Sequence, residues 1–477
     1  MVTFFICLIA LVAAYFLYGG ALERVAKIDG SADVPSRRLY DGVDYMPMAR
    51  WRIFLIQLLN IAGTGPIFGA ILGACYGPVA FLWITLGGIF MGAMHDFLAG
   101  VISLRNDGRS LPETIGKYLG GGMRKLSLVV IPILMVLVGG VFIVTPSKIL
   151  AGMTEIPYLV WVAIVIVYYF VATILPIDKI IGKIYPLFGA ALIFMALSMF
   201  GVILLGDYTI PELTSIENMH HSADRLPIIP TLFISIACGA ISGFHATQSP
   251  LMARCMNSER EARPIFFGAM ISESIIALIW AAVAMAFFGG VEALNGYMVE
   301  HGNDAGLVVS HISVTTLGVL GSILALLGVV AAPITSGDTA FRSARLIVAD
   351  MLHIDQRPIY KRLLVSAPLF AMGVGIAFVD FDVIWRYFAW SNQTLSVFTL
   401  WMITAWLSRR GSRYVWLAMI PAMFMTYICA SFVFVSNQFV GLGSEPVAYV
   451  YGAAVTAVVA GLMVMKIRKD VRNGAEI

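Results

Sequence analysis

Charged residues are scarce in this chain. Asp, Glu, Lys and Arg make up only 12% of its 477 residues, whereas hydrophobic residues make up 60%, and the mean hydropathy is +0.88. Soluble globular proteins carry about 25% charged residues, so this composition excludes a soluble enzyme. A transmembrane helix needs about 20 mostly apolar residues. The chain therefore has room for a dozen or more helices, which predicts an all-α polytopic membrane protein.

Paired cysteines and a strong net charge are also lacking. The five cysteines stand singly, at positions 7, 75, 238, 255 and 429, without a CxxC pair or a nearby histidine cluster. This spacing indicates small apolar residues and neither a disulfide framework nor a zinc site. The net charge of +3 is too balanced for a nucleic-acid-binding protein. We expect a lipid bilayer and a small-molecule substrate as partners, and no nucleic acid.

Hydrophobic stretches of membrane-spanning length recur along the whole chain, and we count thirteen. They cover residues 2–19, 53–74, 78–102, 126–146, 157–175, 184–205, 231–252, 265–288, 316–341, 364–380, 384–407, 414–435 and 446–465. The first stretch has no basic segment before it and no small-residue cleavage site after it. We therefore interpret it as a retained helix rather than as a signal peptide.

Positive charge falls on one side of these predicted helices. All but three of the 31 Lys and Arg residues lie on the side that holds the loop after helix 1 and the C-terminal tail, and the exceptions are Lys148, Arg225 and Arg386. Positively charged loops stay in the cytoplasm, which predicts an N-terminus outside and a cytoplasmic tail from Lys466. An odd number of helices requires the same arrangement. The predicted location is the inner, cytoplasmic membrane.

The stretches fall into four regions. Residues 1–52 hold an extra helix and a polar cytoplasmic loop, and residues 408–477 hold two C-terminal helices and the tail. Between them, residues 53–205 and 206–407 form two blocks of five helices with a similar pattern. Because five is odd, the second block must be inserted upside down relative to the first. The predicted architecture is thus a five-plus-five inverted repeat formed by helices 2–6 and 7–11.

Each block opens with a helix that glycine and proline interrupt near its middle. The interruptions are Asn60-Ile-Ala-Gly-Thr-Gly-Pro66 and Gly239-Ala-Ile-Ser-Gly-Phe-His-Ala-Thr-Gln-Ser-Pro250. Matched broken helices indicate a transporter binding site, because the freed backbone groups must face protein or an aqueous cavity. A simple kink is the alternative. The candidate substrate-binding residues are Asn60, Gly63, Thr64, Gly65, Gly243, His245 and Gln248, with Asn392 from the Trp390-Ser-Asn-Gln393 segment of helix 11.

Few ionisable residues lie inside the predicted spans. His245, Glu273 and Asp338 are candidates for a proton relay, because an intramembrane ionisable residue costs at least about 2.5 kcal/mol. Each has a plainer alternative. His245 could cap freed backbone groups, Glu273 could be protonated and packed, and Asp338 could pair with Arg342 one turn later. The neighbouring His95 and Asp96 suggest a structural pair or an inner gate.

Helix 9 ends in a dense polar run in which Ala332, Thr335 and Ser336 share one helical face. One carbonyl and two hydroxyls make a half-site for a hard cation such as sodium. The alternative is that both hydroxyls bond back to their own helix. We expect no cofactor and no metal beyond a possible sodium ion, and either Na⁺ or H⁺ as the coupling ion.

Several of these motifs resemble the carbon starvation protein A (CstA) family. The similar segments are Asn60-Ile-Ala-Gly-Thr-Gly-Pro-Ile-Phe-Gly69, Met94-His-Asp-Phe97, Arg105-Asn-Asp-Gly-Arg-Ser110, the helix 9 run and Trp385-Arg-Tyr-Phe-Ala-Trp-Ser-Asn-Gln-Thr394, within residues 35–407. The resemblance implies a secondary transporter related to the amino acid-polyamine-organocation superfamily, with a leucine-transporter-like inverted repeat. Members are associated with uptake of short peptides and pyruvate during carbon limitation.

The resemblance also implies a cation site between carbonyls near Asn60 and Gly63 and the Ala332, Thr335 and Ser336 set. Some proton-coupled relatives place a lysine there, and residues 184–205 contain none. The function we expect is a symporter for a small carboxylate-bearing nutrient, working by alternating access in carbon starvation. A membrane-embedded redox enzyme and a nutrient sensor with a transporter fold are the alternatives. The substrate and the oligomeric state stay open.

Overall fold

A computed structural model of the chain describes residues 1–175, 181–379 and 381–472, and these residues are entirely helices, turns and loops. The principal helices are α1 (Val2–Ala26), α2 (Arg50–Ala62), α3 (Gly65–Ala74), α4 (Val79–Leu104), α5 (Leu111–Leu119), α6 (Gly121–Met153), α7 (Tyr158–Ile174), α8 (Ile181–Leu205), α9 (Gly243–Ala253), α10 (Glu259–Phe287), α11 (Val291–Glu300), α12 (Ala305–Ala325), α13 (Ala331–Leu352), α14 (Ile359–Ile376), α15 (Phe381–Ser408), α16 (Trp416–Val435) and α17 (Glu445–Arg472). The expected all-α class is confirmed.

Membrane spans are fewer by a strict count than the sequence predicts. Within the described residues, eight helices are long and apolar enough to cross a membrane, and ten if each of two bent helix pairs counts as one span. α7 has 17 residues, so it falls below the length required. The chain is thus a multi-pass membrane protein. Thirteen spans, the inverted repeat and the four-region division stay predictions.

The ninth predicted stretch, residues 316–341, differs most from the observed helices. Gly318 interrupts α12 with a φ of 55°, and α13 then continues to Leu352. α13 runs past the predicted end because Arg342 and Arg345 are buried inside the protein, so the first charges do not mark a membrane surface. Lys179 of the charge pattern and position 380 of the tenth stretch lie outside the described residues.

Both predicted helix breaks are present. Between α2 and α3 the backbone turns at Gly63, which has φ −3° and ψ −130°, and the two helices bend by 52°. In the second break, a helical segment at residues 228–235 ends, Gly239 adopts a φ of +91°, and α9 begins after an extended Ser242. The side chain of Asn392 on α15 caps α9, because its Oδ1 accepts a hydrogen bond from the Phe244 N–H at 2.9 Å.

Burial separates an inner layer of helices from an outer one. α4 and α10 are mostly buried, and the breaks pack beside them, whereas α13 packs mainly against α6. α1 and α17 lie at the periphery and expose large apolar side chains such as Phe16, Leu17 and Leu462. Apolar side chains on an outer surface are stable in lipid, so these two helices fit the lipid boundary.

Loops predicted to share one side of the membrane contact one another. Arg105 Nη2 lies 2.7 Å from Glu259 Oε2, and Arg254 Nε donates to the Gly108 carbonyl at 2.9 Å. At the other end, the N-terminal amine pairs with Glu212. The structure therefore groups these loops as the charge pattern does. Which end faces the cytoplasm stays a prediction.

Candidate functional site

The two helix breaks meet in the centre of the protein. A Cβ atom added at Gly65 would collide with Cβ and Sγ of Cys238, and one added at Gly69 would lie 2.9 Å from the Ser235 carbonyl oxygen. Glycine is required at Gly65 because no side-chain atom fits between the two segments. The first and second breaks, which are more than 150 residues apart in the sequence, therefore form one site.

A buried cluster of ionisable side chains lies beside this junction. His245 Nδ1 is 2.8 Å from Asp96 Oδ2, and His245 Nε2 is 3.4 Å from Glu273 Oε2. The other Asp96 oxygen lies 2.7 Å from His95 Nδ1. All four side chains are fully buried. α4 supplies His95 and Asp96, the start of α9 supplies His245, and α10 supplies Glu273. Two of the three predicted relay residues, His245 and Glu273, are thus in contact.

Several atoms of this cluster have no hydrogen-bond partner among the described residues. They are His245 Nε2, His95 Nε2 and both carboxylate oxygens of Glu273. Leaving a buried polar atom unpaired costs free energy, so such atoms are available for a ligand or a proton. Cys238 Sγ, His245 and Glu273 also place three donor atoms within 4.8 Å of one another. These donors suit a borderline-soft divalent metal ion as well as a proton.

The predicted oxygen set of α13 lies against the first break. Ser336 Oγ donates to the Leu59 carbonyl at 3.1 Å, and a Cβ at Gly63 would lie 3.2 Å from that hydroxyl. Thr335 behaves as the alternative predicted, because its hydroxyl donates to the Ala332 carbonyl at 2.7 Å in its own helix. The buried side chains of Asn60 and Thr64 have no partner among the described residues.

The other predicted substrate residues occupy different positions. A Cβ at Gly243 would collide with the backbone of Asn392 and Ser396, so Gly243 packs directly on α15. Asn392 uses its amide oxygen for the α9 cap and for Ser242 Oγ, at 2.9 Å. Gln248 points away from the junction towards Ser343, at 3.5 Å, and its amide oxygen has no partner.

Asp338, the third predicted relay residue, is held elsewhere. Its carboxylate accepts a hydrogen bond from the Tyr185 hydroxyl at 2.8 Å. The expected ion pair between Asp338 and Arg342 does not form, because Arg342 Nη1 is directed to Asp44, 3.5 Å away. Arg342 thus faces the carboxylate of Asp44, from a distant segment, instead of Asp338 one turn away in its own helix. Asp338 therefore belongs to a separate polar group, with Tyr185 and Tyr168.

A cavity of about 480 Å³ opens at the end of the protein that holds the N-terminus and reaches the junction at Phe68 and Ser235. Its lining carries two arginines, Arg225 and Arg386, with the imidazoles of His220 and His221 and the carboxylate of Asp304. Burial, together with the charge of His221, lowers the pKa of His220 to about 4, so this imidazole is neutral near pH 7. A positively charged mouth attracts anions.

Sequence reasoning missed how Asp96 and Cys238 take part. Asp96 is predicted as a local pair or gate with His95, yet it also binds His245, 149 positions away in the sequence. Cys238 is interpreted as a small apolar residue, yet its sulfur faces the cluster. A useful signal was present in the sequence, because buried carboxylates in membrane helices normally need a partner and His245 was the other intramembrane histidine.

Comparison with known proteins gives a family and a fold. The profile of the family described as carbon starvation protein CstA matches residues 1–158, 143–319 and 304–431. An uncharacterized membrane protein of Haemophilus influenzae is 41% identical over 62% of this chain and 93% of its own. The "Peptide transporter CstA" of Campylobacter jejuni is 27% identical over 86% of this chain and 76% of its own.

The chain is also similar to a second named transporter and to a solved transporter structure. The "Pyruvate/proton symporter BtsT" of Escherichia coli is 25% identical over 56% of this chain, and the match spans 46% of that protein. The crystal structure of a mutant manganese transporter of Eremococcus coleocola has a TM-score of 0.51, with 16% identity, over 90% of this chain and 99% of that one. At this identity the likeness shows the fold alone.

Proposed function

This chain belongs to the carbon starvation protein CstA family, and from that premise we propose that it is a proton-coupled symporter for a small carboxylate-bearing nutrient. A membrane transporter is what the named relatives and the similar fold have in common. The names of the relatives offer two substrate classes, peptides and pyruvate. Both carry a carboxylate. We propose uptake in carbon starvation, across the inner membrane, by alternating access in a five-plus-five inverted repeat.

The observation that carries this proposal is His245, fully buried between Asp96 and Glu273 at the junction of the two breaks. Ionisable residues inside a membrane are expensive and mark proton or substrate paths. A proton that moves from the Glu273 carboxyl group to His245 Nε2 creates an imidazolium whose Nδ1–H donates to the Asp96 carboxylate. The transfer leaves the net charge of the cluster unchanged and moves charge over the 3.4 Å between the two side chains.

The substrate carboxylate would enter through the cavity of about 480 Å³. Arg225 and Arg386 line its mouth, and both belong to the few basic residues that the charge pattern places outside. The cavity ends at the first break beside Phe68, where α3 begins, and the N-terminus of a half-helix attracts a carboxylate. We propose that Gly63, Thr64 and Gly65 form the substrate end of this path.

Sodium is the second candidate for the coupling ion, because one observation favours it. Ser336 Oγ meets the Leu59 carbonyl beside Asn60, whose amide has no partner among the described residues. Hard oxygen donors of this kind suit sodium. A hydroxyl does not titrate near neutral pH, so this oxygen set cannot carry a proton. The two candidates therefore depend on different side chains.

Uptake of labelled pyruvate and dipeptides into proteoliposomes, under separately imposed proton and sodium gradients, tests the proposal. We expect a proton gradient to drive uptake in the native protein and in His353→Asn, a matched control on the exposed end of α13. Glu273→Gln keeps the side-chain shape, but its amide can neither release a proton to His245 nor take one up, so proton-driven uptake should be lost while the size-exclusion profile stays monodisperse.

Two results contradict proton coupling. Proton-driven uptake that survives in both Glu273→Gln and His245→Gln would remove the relay from the mechanism. Uptake that follows sodium and disappears in Thr335→Ala with Ser336→Ala would transfer the coupling to the α13 oxygen set. Absence of uptake for both substrate classes, with protein that is folded and correctly oriented, would overturn the assignment of the substrate.

A further inference from the structure

Four buried arginines gather at the end of the protein opposite the cavity mouth. They are Arg254, Arg342, Arg345 and Arg362, and each is at most 7% exposed. Two of them bind the last carbonyls of α7, because Arg342 Nη2 donates to Ala172 at 3.0 Å and Arg362 Nη1 to Ile174 at 3.2 Å. Arg345 differs from the others. None of its three guanidinium nitrogens has a hydrogen-bond partner among the described residues.

The carboxylate of Asp44 faces this cluster from the loop between α1 and α2. It lies 3.5 Å from Arg342 Nη1, and it is 5% exposed. Burial works to raise the pKa of Asp44, but the charge of Arg345 first, and then that of Arg342, holds it below its usual range. Asp44 is therefore ionised. The side chain of Asp44 ends in a carboxylate on a single methylene, which is the chemistry of a small carboxylic acid.

Asp44 is held in place by a loop that contacts the same end of the bundle. The Tyr45 hydroxyl donates to the Asp107 carbonyl at 2.9 Å, and Arg254 lies over the Tyr45 ring at 4.9 Å. The Met48 N–H donates to the Cys255 carbonyl at 3.0 Å. The Arg38–Asp107 ion pair and a hydrogen bond from Asn257 Nδ2 to the Met48 carbonyl also hold the loop, so its anchors are mostly polar contacts with the ends of the helices. Such a segment can withdraw without disturbing the helix packing.

A polar path connects the arginine cluster with the central junction. Ser343, between Arg342 and Arg345 on α13, donates its hydroxyl to the Thr247 carbonyl at 3.2 Å. Gln248, one turn after His245 on α9, reaches Ser343 at 3.5 Å. These side chains are buried in this conformation, and an anion that left the junction at this end would meet Gln248, then Ser343, then the arginines.

We propose that Arg254, Arg342, Arg345 and Arg362 form a carboxylate-binding site at the exit of the transport path, which Asp44 fills in this conformation. The loop that carries Asp44 acts as an internal competitor for this site. When the loop withdraws, a small carboxylate takes the place of Asp44 beside Arg342 and pairs with the guanidinium of Arg345, to which no described residue hydrogen-bonds. The identification of this ligand with the transported carboxylate rests on the proposed function. The existence of the site does not depend on that function.

Chemical rescue of Asp44→Ala tests the site, because truncation leaves space for a carboxylate among unpaired guanidinium groups. We expect Asp44→Ala to have a lower Tm than the native protein in chloride buffer. Formate or acetate at equal ionic strength should restore most of the lost Tm, and phosphate should not, because Asp44 leaves room only for a planar group. Pyruvate should act as acetate does if the transported substrate uses the site.

Three further variants control the test. Asp44→Asn keeps the space filled, so carboxylates should not rescue it. Asp44→Ala with Arg345→Gln should lose the rescue, since the Arg345 guanidinium, unpaired among the described residues, is the main hydrogen-bond donor to the added carboxylate. Glu23→Ala removes a carboxylate from a half-buried pair with Arg263, at 3.1 Å, where water can replace it, so we expect no specific rescue.

Equal Tm values of Asp44→Ala in acetate, formate and chloride would overturn the proposal. If Asp44→Ala cannot be purified in chloride, purification in acetate becomes the assay. Recovery of monodisperse protein only in acetate supports the site, and recovery in neither buffer contradicts it. Rescue by acetate without uptake of pyruvate or dipeptides in liposomes would keep the site and reject the proposed function. Uptake in liposomes without any rescue of Asp44→Ala would keep the proposed function and reject the site.

Discussion

Replacing Gly65 by alanine tests whether the two helix breaks are in contact. The added Cβ would collide with Cβ and Sγ of Cys238. The sulfur could move to another rotamer, but Cβ is fixed to the backbone, so one of the two breaks must shift. Overpacking of this kind costs about 1–3 kcal/mol. We expect the free energy of unfolding of Gly65→Ala to fall by that amount and its uptake rate to fall with it.

A compensating change in the partner makes this test specific. Gly65→Ala with Cys238→Gly removes both colliding atoms, and position 238 lies in a turn where glycine costs little. The double variant should regain most of the lost Tm. Gly375→Ala is a matched control, because its added Cβ on α14 meets no atom within 4 Å. A Gly65→Ala variant as stable as Gly375→Ala, or a double variant no better than the single one, would refute the contact.

Three further predictions concern orientation, pH and metal. A cysteine introduced as Asp470→Cys should react with an impermeant thiol reagent only from the cytoplasmic side, and labelling from the periplasm would reverse the topology. Because burial lowers the pKa of His220 from 6.5 to about 4, the unfolded chain binds a proton that the folded chain does not. The free energy of unfolding should therefore decrease as pH falls from about 6.5 towards 4, and His220→Gln should lose that slope in thermal melts across this range. Treatment with a strong chelator should leave proton-driven uptake unchanged, and a loss that zinc restores would identify the Cys238, His245 and Glu273 donors as a metal site.

Local pattern was enough to predict the elements whose cause is local. Glycine and proline inside apolar stretches correctly located both breaks. The contact of Ser336 with the first break agrees with what the family resemblance implied, since the polar run of α13 alone predicted only a set of oxygen donors. The alternation of charged loops agrees with how the loops group in the structure. Each of these depends on neighbouring residues and on the cost of exposing backbone to lipid.

Pairings between distant segments could not be predicted in the same way. Spacing along one helix favoured Asp338 with Arg342, but the fold brought Asp44 to Arg342 and Tyr185 to Asp338. Similarly, Asp96 bonds to His245 from a different helix. A buried charge binds the strongest partner that the tertiary structure offers, and one sequence does not reveal which segments become neighbours.

The contact of Gly243 with the α15 backbone has a mechanical consequence. Two helices that contact through side chains can move past each other, because the side chains change rotamer. Gly243 instead contacts the main chain of Asn392 and Ser396 directly, so no side chain between the two helices can rearrange. The cap from Asn392 to Phe244 fastens the same two helices. We therefore expect α9 and α15 to move together as one rigid body. At the junction of Gly65 with Cys238 a cysteine side chain lies between the two backbones, so we expect the relative movement of the two breaks to occur there.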